Sequence, residues 1–271
     1  MGLVAESKKR ARVMRKIILE TAMNSPAKGC HFGGALSCVD LLSALPCFYN
    51  LTDDIDKTSI RVTLSKGHAS LALYALLNEQ GCITNEYLKT FEQSGSYLAG
   101  HPIRSVENQI YFSTGSLGMG IGNATGQALY LKRMYGENSP KIVVILGDGE
   151  ASEGIVYESL AFSTKYELSN LIIYFDVNGF QQTSATNLMQ PTLSIAKLCE
   201  ATGHHVEIIQ NGNDHESIHE VLNLVLPEKR PKCIIGKTIK GFGINFMENN
   251  NEWHHNQLTE KDYKQSLLEL E

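Results

Sequence analysis

Two uninterrupted apolar runs in the middle of the chain form its clearest pattern. Residues 141–146 read KIVVIL and residues 171–176 read LIIYFD, and runs of this kind are typical of strands buried on both faces. Further strands are expected near residues 61–64, 205–209 and 233–237. A helical pattern over about residues 153–166 separates the two central strands. The order therefore predicts parallel strands joined by helical crossovers.

Apolar residues at helical spacing predict the remaining helices. The first, over about residues 6–24, has Met14, Ile17 and Ile18 on one face and leaves the basic run 8–12 on its solvated face, which we favour over a nuclear signal. Further helices are expected over residues 35–48, 69–79, 84–91, 117–135, 194–201 and 216–225. No repeat or linker divides the chain. We therefore expect one α/β domain, residues 1–271, whose mostly parallel sheet carries helices on both faces.

Composition narrows the classes of function. Apolar residues make up 42% of the chain, and the formal net charge of −5 argues against a nucleic-acid partner. No apolar run approaches the roughly 20 residues that span a bilayer, and the amino-terminal segment lacks the apolar core of a signal peptide. The 6 cysteines form no C-x-x-C pair and are expected to be buried thiols. The sequence thus favours a cytoplasmic protein over a membrane-bound or secreted one.

Oxygen-bearing side chains follow both central strands. Asp148 follows the first strand between Gly147 and Gly149, and Asn178 follows the second. Carboxyl ends of parallel strands meet at one edge of a sheet, where ligands bind. A carboxylate, an amide oxygen and a backbone carbonyl are hard ligands that suit Mg²⁺ or Ca²⁺, and the two glycines allow backbone N–H groups to approach a phosphate. The residues alone predict a metal-bridged diphosphate, with an ordinary Asp-Gly turn as the alternative.

Several ordered segments resemble one known family. They are residues 65–69 (SKGHA), 100–102 (GHP), 114–118 (TGSLG), 147–154 (GDGEASEG), 176–178 (DVN) and 237–241 (KTIKG). In this order they resemble the thiamin diphosphate motifs of transketolases, over a span from about Lys9 to His255. The resemblance implies the thiamin diphosphate-binding fold. It also implies a transferase that moves a two-carbon ketol unit from a ketose or ketose phosphate to an aldehyde acceptor.

The resemblance also implies which residues bind the cofactor and its metal. Asp148, Asn178 and the backbone carbonyl of Phe180 would hold Mg²⁺ or Ca²⁺ on the cofactor diphosphate. Besides Asp148 and Asn178, contacts with thiamin diphosphate are implied for Lys66, His68, Gly115, Ser116, Leu117, Gly147, Gly149, Gln182 and Lys240.

Catalytic roles are implied for a second set. His31, His101 and His255 would face the substrate, with His254 as the less favoured neighbour of His255. Imidazoles suit this task because they titrate near neutrality and can move the protons of a sugar hydroxyl. Glu153 resembles a carboxylate that links paired active sites across a subunit interface.

Three segments depart from the family pattern. Residues 31–34 read HFGG where the family has His-Pro-Gly-Gly, residues 179–186 read GFQQTSAT without the usual Asp-Gly turn, and residues 255–258 read HNQL in place of His-x-Ala-Pro. All three would lie where substrate or thiazolium is approached. The identities of the sugar or sugar-phosphate donor and acceptor therefore stay open.

The resemblance implies a partner as well. A complete transketolase has a pyrimidine-binding domain, which supplies the activating glutamate, and a carboxyl-terminal domain, and both are absent from residues 1–271. We expect a second subunit to carry them, in an α₂β₂ heterotetramer. Two alternatives remain, a non-catalytic binding or regulatory module of the same fold and an α subunit like that of a 2-oxo acid dehydrogenase.

Overall fold

The computed structural model describes residues 2–52, 54–182, 184–189, 194–226 and 229–271. Within these ranges the chain forms a five-stranded sheet in the order β1-β2-β3-β5-β4, with every neighbouring pair parallel. The strands are β1 (Ile60–Leu64), β2 (Lys141–Gly147), β3 (Leu171–Val177), β4 (His205–Ile209) and β5 (Lys232–Lys237). The parallel sheet expected from the apolar runs is confirmed.

Helices connect the strands. They are α1 (Leu3–Met23), α2 (Gly33–Ser37), α3 (Val39–Ala44), α4 (Ser70–Glu79), α5 (Asn85–Leu88), α6 (Met119–Tyr135), α7 (Gly154–Lys165), α8 (Thr186–Met189), α9 (Ile195–Ala201), α10 (His215–Asn223) and α11 (Glu260–Glu269). Among the described residues, no helix combines the length and the apolar character needed to cross a membrane.

Successive residues of the central strands β2, β3 and β5 enter two different cores, because strand side chains point alternately to opposite faces of a sheet. Val143 and Ile145 of β2 pack with residues of α1, α3, α4 and α10. Val144 and Leu146 of the same strand pack with residues of α6, α7 and α9 on the other face. This arrangement confirms helices on both faces, and it explains why β2 and β3 read as continuous apolar runs.

Several helix boundaries differ from the sequence prediction, and α1 begins at Leu3, three residues before its predicted start. A single helix over residues 35–48 is wrong, because the backbone leaves helical geometry at Cys38 (φ −100°, ψ 3°) and the segment ends in a 3₁₀ turn that contains Pro46. Helix α6 begins two residues later than predicted, since Gly118 before it adopts a left-handed φ of +82°. Thr84 caps α5 as expected, through a hydrogen bond from the Tyr87 N–H, but the helix ends at Leu88.

Strand register fixes which loops meet at the carboxyl edge of the sheet. Gly147 of β2 lies opposite Asp176 of β3, and Asp176 lies opposite Gly236 of β5. The segments that follow these strands therefore leave the sheet side by side. The SKGHA segment follows β1, which pairs with β2 on its other side. Four of the motif segments are thus brought to one edge by the sheet itself.

Candidate active site

A cavity of about 610 Å³ lies at the carboxyl edge of the sheet, within the range of volumes that small-molecule ligands occupy. Of the residues predicted from sequence, it is lined by His31, Lys66, His68, His101, Gly115, Leu117, Gly147, Asp148, Gly149, Glu153, Asn178, Phe180, Gln182 and Lys240. His254 lines it too. Ser116 and His255 are not part of the lining, and the Ser116 side chain is exposed.

A larger cavity of about 700 Å³ lies at the opposite, amino-terminal edge. Two of its lysines are held by carbonyls at helix ends. Lys132 Nζ donates to the Tyr166 carbonyl (3.0 Å), just past α7, and Lys232 Nζ donates to the carbonyls of Val221 (3.0 Å) and Leu224 (2.6 Å) at the end of α10. These ammonium groups offset the negative ends of the helices. The motif residues gather at the carboxyl edge and none of them lines this larger cavity.

Asp148 lies between the tips of β2 and β3 and is 2% exposed. Its Oδ1 accepts a hydrogen bond from the Gly149 N–H (3.0 Å). Its Oδ2 accepts from the Gly179 N–H (2.9 Å) and from the Thr186 hydroxyl (2.8 Å). Burial raises the pKa of Asp148, so a cation placed beside the carboxylate would stabilise its charged form. The two strand tips meet at this side chain, as expected from the order of strands and crossovers.

Asn178 and Phe180 lie next to Asp148 in the loop that follows β3. The Phe180 N–H donates to Asn178 Oδ1 (3.1 Å). No group of three or more His, Cys, Asp or Glu side chains suited to a metal occurs in the described part of the chain. A hard cation at Asp148 would therefore need the Asn178 amide oxygen, the Phe180 carbonyl and phosphate oxygens of a ligand as its other donors, which is a donor set that suits Mg²⁺.

Gln181 supplies a polar group that lacks a partner. Its Nε2 is buried and makes no hydrogen bond among the described residues. The side chain packs on Gly149 so closely that a Cβ at that glycine would lie 3.0 Å from Gln181 Cγ. A buried N–H group without an acceptor is unfavourable and requires an explanation. An anionic ligand at the Gly147–Gly149 turn would provide the acceptor, so the donors present fit a diphosphate.

A buried ion pair lies beneath the cavity. Lys66 is 1% exposed, and its ammonium donates to Asp176 Oδ2. The hydroxyls of Ser37 (2.6 Å) and Thr238 (2.5 Å) donate to the same carboxylate. Burial alone would lower the pKa of Lys66, but the charge and hydrogen bond of Asp176, together with the nearby Cys38 and Asp148, outweigh burial and raise it. The ammonium is therefore engaged by protein, and direct contact of Lys66 with a cofactor phosphate stays a prediction.

Lys240 brings a second cation to the cavity. Its Nζ donates to Asn251 Oδ1 (2.6 Å) and lies 3.0 Å from His254 Nδ1. Burial and the nearby charge of Lys66 lower the pKa of Lys240 to about 8. Its neighbours Asn251 and His254 are neutral acceptors and do not cancel the positive charge of Lys240. That charge would therefore stabilise an anion bound in the cavity.

Imidazole rings gather at one end of the cavity around His31. The centroid of its ring lies 5.6 Å from that of His68, 5.7 Å from His101, 5.5 Å from His254 and 4.6 Å from His255. Burial and the other imidazoles lower the pKa of His31 to about 3, and burial and Lys240 lower that of His254 to about 4. Burial and Lys66 hold the pKa of His68 well below its usual range. These three rings are neutral near pH 7.

The sequence favours His255 over His254 as the residue that faces the substrate, but in the structure it is His254 that lines the main cavity. His254 lines the main cavity, whereas His255 lies in a side pocket of about 100 Å³ that it shares with Glu92 and His101. His254 ends a 3₁₀ turn and His255 is extended (φ −145°, ψ 114°), so the two adjacent rings leave the backbone in different directions. Because the two residues are adjacent and identical in type, no feature of the sequence distinguishes them.

Two further residues that border the site were not expected from the sequence. Glu150 is 1% exposed, and its carboxylate accepts from the N–H groups of Gly118 (2.6 Å) and Gly147 (3.2 Å) and from the Ser65 hydroxyl. It joins three motif segments that border the cavity. Thr186, which belongs to the 179–186 departure, donates its hydroxyl to Asp148 Oδ2 (2.8 Å). Thr183 of that segment lies outside the described residues.

Comparisons with known proteins agree with these motifs. Residues 8–270 match the family model described as transketolase, thiamine diphosphate binding domain. The chain is 35% identical over 270 residues to one subunit of an apulose-4-phosphate transketolase from Actinobacillus succinogenes, covering 98% of this chain and 96% of the relative. It is 34% identical over 268 residues to one subunit of a 6-deoxy-6-sulfo-D-fructose transketolase from a Clostridium species, covering 97% and 95%.

A solved structure gives the same result for the fold. The transketolase from Leishmania mexicana matches 97% of this chain with a TM-score of 0.86 at 26% identity. The match covers 41% of that transketolase chain. The chain therefore spans about two fifths of a complete transketolase but nearly the full length of both subunit relatives.

Proposed function

The chain belongs to the transketolase family, and from this premise we propose that it is the diphosphate-binding subunit of a two-component transketolase. The proposed cofactors are thiamin diphosphate and Mg²⁺, with Ca²⁺ as the alternative cation. One observation carries the proposal. Asp148 at the tip of β2 accepts a hydrogen bond from Gly179 at the tip of β3, beside a cavity that also receives Lys240 and the histidines around His31.

The residues at the strand tips would bind the diphosphate end of the cofactor. Asp148, Asn178 and the carbonyl of Phe180 would hold the cation, because they supply the oxygen donors that Mg²⁺ prefers. Lys240 would offset diphosphate charge directly. Lys66 would contribute its charge from beneath the cavity, where Asp176 holds it. Gly147 leaves room for the diphosphate, since a Cβ there would have no neighbour nearer than Lys66 Cβ at 4.0 Å.

The histidine end of the cavity would receive the substrate. Thiamin diphosphate, when bound, supplies the chemistry that cleaves a carbon–carbon bond beside a ketone. The neutral rings of His31 and His68 can each donate one hydrogen bond and accept another, which suits the hydroxyl groups of a sugar. His254, whose Nδ1 accepts from Lys240, can donate from its other ring nitrogen. Proton transfer to and from a substrate oxygen would fall to these rings and to His101. Gly115 and Leu117 would line the ring portion of the cofactor.

A second subunit would complete the site. Residues 1–271 would form the diphosphate-side domain alone, with the pyrimidine-binding and carboxyl-terminal domains on the partner, in an α₂β₂ assembly. Three exposed apolar side chains lie at the cavity or on the helix turns that begin beside it, and they support a partner on this side: Leu117 (37% exposed), Met119 (46%) and Tyr157 (40%). Glu153, also exposed at the cavity, would link paired sites. The names of both subunit relatives support the same division.

The proposed substrates are ketoses that carry an anionic group. The two subunit relatives are named for a phosphorylated and a sulfonated sugar respectively, which supports this class but not one member of it. We also propose a cytoplasmic location. All 6 cysteines are free thiols, as expected in a reducing compartment.

The direct test is an activity assay on the chain together with the polypeptide that copurifies with it. We expect ketol transfer from a ketose phosphate to an aldehyde acceptor, dependent on thiamin diphosphate and Mg²⁺. Decarboxylation of pyruvate in place of ketol transfer would favour the 2-oxo acid dehydrogenase alternative. Failure of both reactions, with no cofactor binding, would favour a non-catalytic module.

A further inference from the structure

The segment that follows Asn178 closes into a loop whose two ends are tied together. This Phe180 loop comprises residues 179–186, of which residue 183 lies outside the described part. Phe180 and Ala185 form an antiparallel bridge, and the Thr186 N–H donates to the Gly179 carbonyl (2.9 Å). Backbone contacts alone therefore close the loop at its base.

The Thr186 side chain adds a different contact. Its hydroxyl donates to Asp148 Oδ2 (2.8 Å), the same oxygen that accepts the Gly179 N–H (2.9 Å). Oδ1 of Asp148 accepts only the Gly149 N–H (3.0 Å) among the described residues. A carboxylate oxygen offers about two lone-pair positions, so Oδ2 is saturated and Oδ1 keeps one position free.

This asymmetry decides how Asp148 can bind a cation. With Oδ2 saturated, the carboxylate can offer one oxygen but not two. Mg²⁺ requires near-octahedral geometry and suits a one-oxygen carboxylate, whereas Ca²⁺ accepts higher coordination numbers and two-oxygen carboxylates. The hydrogen bonds around a metal-binding carboxylate typically change metal affinity by about 10–100-fold when they are removed.

We propose that Thr186 is a positioning residue that makes Asp148 a one-oxygen ligand and so favours Mg²⁺ over Ca²⁺ at the diphosphate site. The presence of a cation at this site rests on the proposed function. The contact between Thr186 and Asp148 is independent of that function. The same contact holds the Asp148 carboxylate against the base of the Phe180 loop. The backbone carbonyl of Phe180 in this loop is the third protein ligand proposed for the cation.

Two substitutions separate the hydroxyl from the rest of the side chain. Thr186→Val keeps the shape and the backbone tie to Gly179 but removes the O–H donor. Thr186→Ser keeps the donor and removes the methyl group. A packing role would make both variants differ from wild type, whereas the proposed role predicts that only the valine variant differs.

The first measurement is calorimetric titration of thiamin diphosphate into the complex of the full chain with its copurifying partner, in MgCl₂ and separately in CaCl₂. We expect Thr186→Val to weaken Mg²⁺-dependent binding by about 10-fold or more. Ca²⁺-dependent binding should weaken less, so that the preference for Mg²⁺ falls, and Thr186→Ser should keep the wild-type ratio. An unchanged ratio in the valine variant, or an equal loss in both variants, would overturn the proposal.

The second measurement works without any cation. Hydrogen exchange of the Gly179 amide in the metal-free chain reports whether Asp148 Oδ2 is held in place. Exchange should be faster in Thr186→Val and unchanged in Thr186→Ser, and equal exchange in all three proteins would overturn the positioning role. If exchange responds as expected but no protein binds thiamin diphosphate with either cation, the proposed function fails and the contact itself stands.

Discussion

The ammonium of Lys66 donates a hydrogen bond to the carboxylate of Asp176 beneath the cavity, and the two side chains are 1% and 0% exposed. Lys66 lies just past β1 and Asp176 lies within β3, so the contact reaches across the intervening strand β2. A residue that the family resemblance assigns to a cofactor phosphate is therefore also part of the protein's internal structure. Loss of either partner would leave the other charge buried and unpaired.

We expect Lys66→Met to lower the free energy of unfolding by about 3–5 kcal/mol, the usual effect of removing one member of a buried pair. Urea denaturation of the metal-free chain measures this. Lys89→Met is the matched control, because Lys89 forms an ion pair with Glu86 at the surface, with the two side chains 60% and 82% exposed, and it should unfold as wild type does. Equal stability of Lys66→Met and wild type would contradict a sealed ion pair.

Lys240 should make cofactor binding depend on pH. Its pKa is lowered to about 8 by burial and by Lys66, and a bound diphosphate would raise that pKa again by favouring the charged form. The affinity for thiamin diphosphate is therefore highest below about pH 8, where Lys240 is charged in both states. It falls as pH rises above about 8, by up to about tenfold per pH unit, until the pKa of Lys240 in the bound state is reached.

Titrations of thiamin diphosphate at about pH 7 and about pH 9, roughly one unit to either side of the Lys240 pKa of about 8, check this dependence. Lys240→Met should bind more weakly at the lower pH and lose most of the difference between the two. The neutral rings of His31 and His254 titrate far below this range, with pKa values of about 3 and about 4. A pH dependence that survives in Lys240→Met would assign it to another group.

Gln181 and Gln182 are expected to contribute unequally to binding of the cofactor. The buried Nε2 of Gln181 lacks an acceptor, and a hydrogen bond from it to a charged phosphate would contribute about 1.5–3 kcal/mol. Gln182 has an exposed side chain, and its backbone carbonyl already accepts from Asn251 Nδ2 (3.1 Å). We expect Gln181→Leu to weaken thiamin diphosphate binding by about 10-fold or more and Gln182→Leu to have a smaller effect. The reverse order in calorimetry would support the assignment made from the family resemblance.

The proposed partner surface can be tested by introducing a glutamate there and, as a control, a glutamate at the opposite edge of the sheet. Tyr157 in the first turn of α7 is 40% exposed and belongs to the apolar side chains on the cavity side, whereas Val225, 87% exposed, lies at the opposite edge of the sheet. Tyr157→Glu should reduce the amount of partner that copurifies with the chain and leave the melting temperature unchanged. Val225→Glu should leave copurification intact. Equal copurification with both variants would move the interface away from α7.

The sequence allowed the sheet and most of the site to be predicted for a physical reason. Strands covered on both faces must be apolar throughout, so β2 and β3 were visible as runs, and the residues just beyond them had to lie at one edge. That reasoning brought Asp148 and Asn178 together without any distance information. Helix boundaries were predicted wrongly where local backbone geometry determines them, as at Cys38 and Gly118.

The parts that could not be predicted depend on contacts between distant segments. The pairing of Lys66 with Asp176 joins residues 110 positions apart. The contact of Thr186 with Asp148 joins residues 38 apart, through a loop with no repeating pattern. Neither hydroxyl nor ammonium reveals its partner in sequence, because many acceptors are equally compatible with it. Which of His254 and His255 lines the cavity depends on the orientation of one short 3₁₀ turn, and the sequence does not reveal that orientation.

The central claim is that a hard cation and a diphosphate are bound between the tips of β2 and β3. Its most direct test is calorimetric titration of thiamin diphosphate with Mg²⁺ into the complex of the chain and its copurifying partner, for wild type and Asp148→Ala. We predict saturable, Mg²⁺-dependent binding in the wild-type complex, weak binding to the chain alone, and none in Asp148→Ala. Binding of undiminished affinity in Asp148→Ala would contradict the claim.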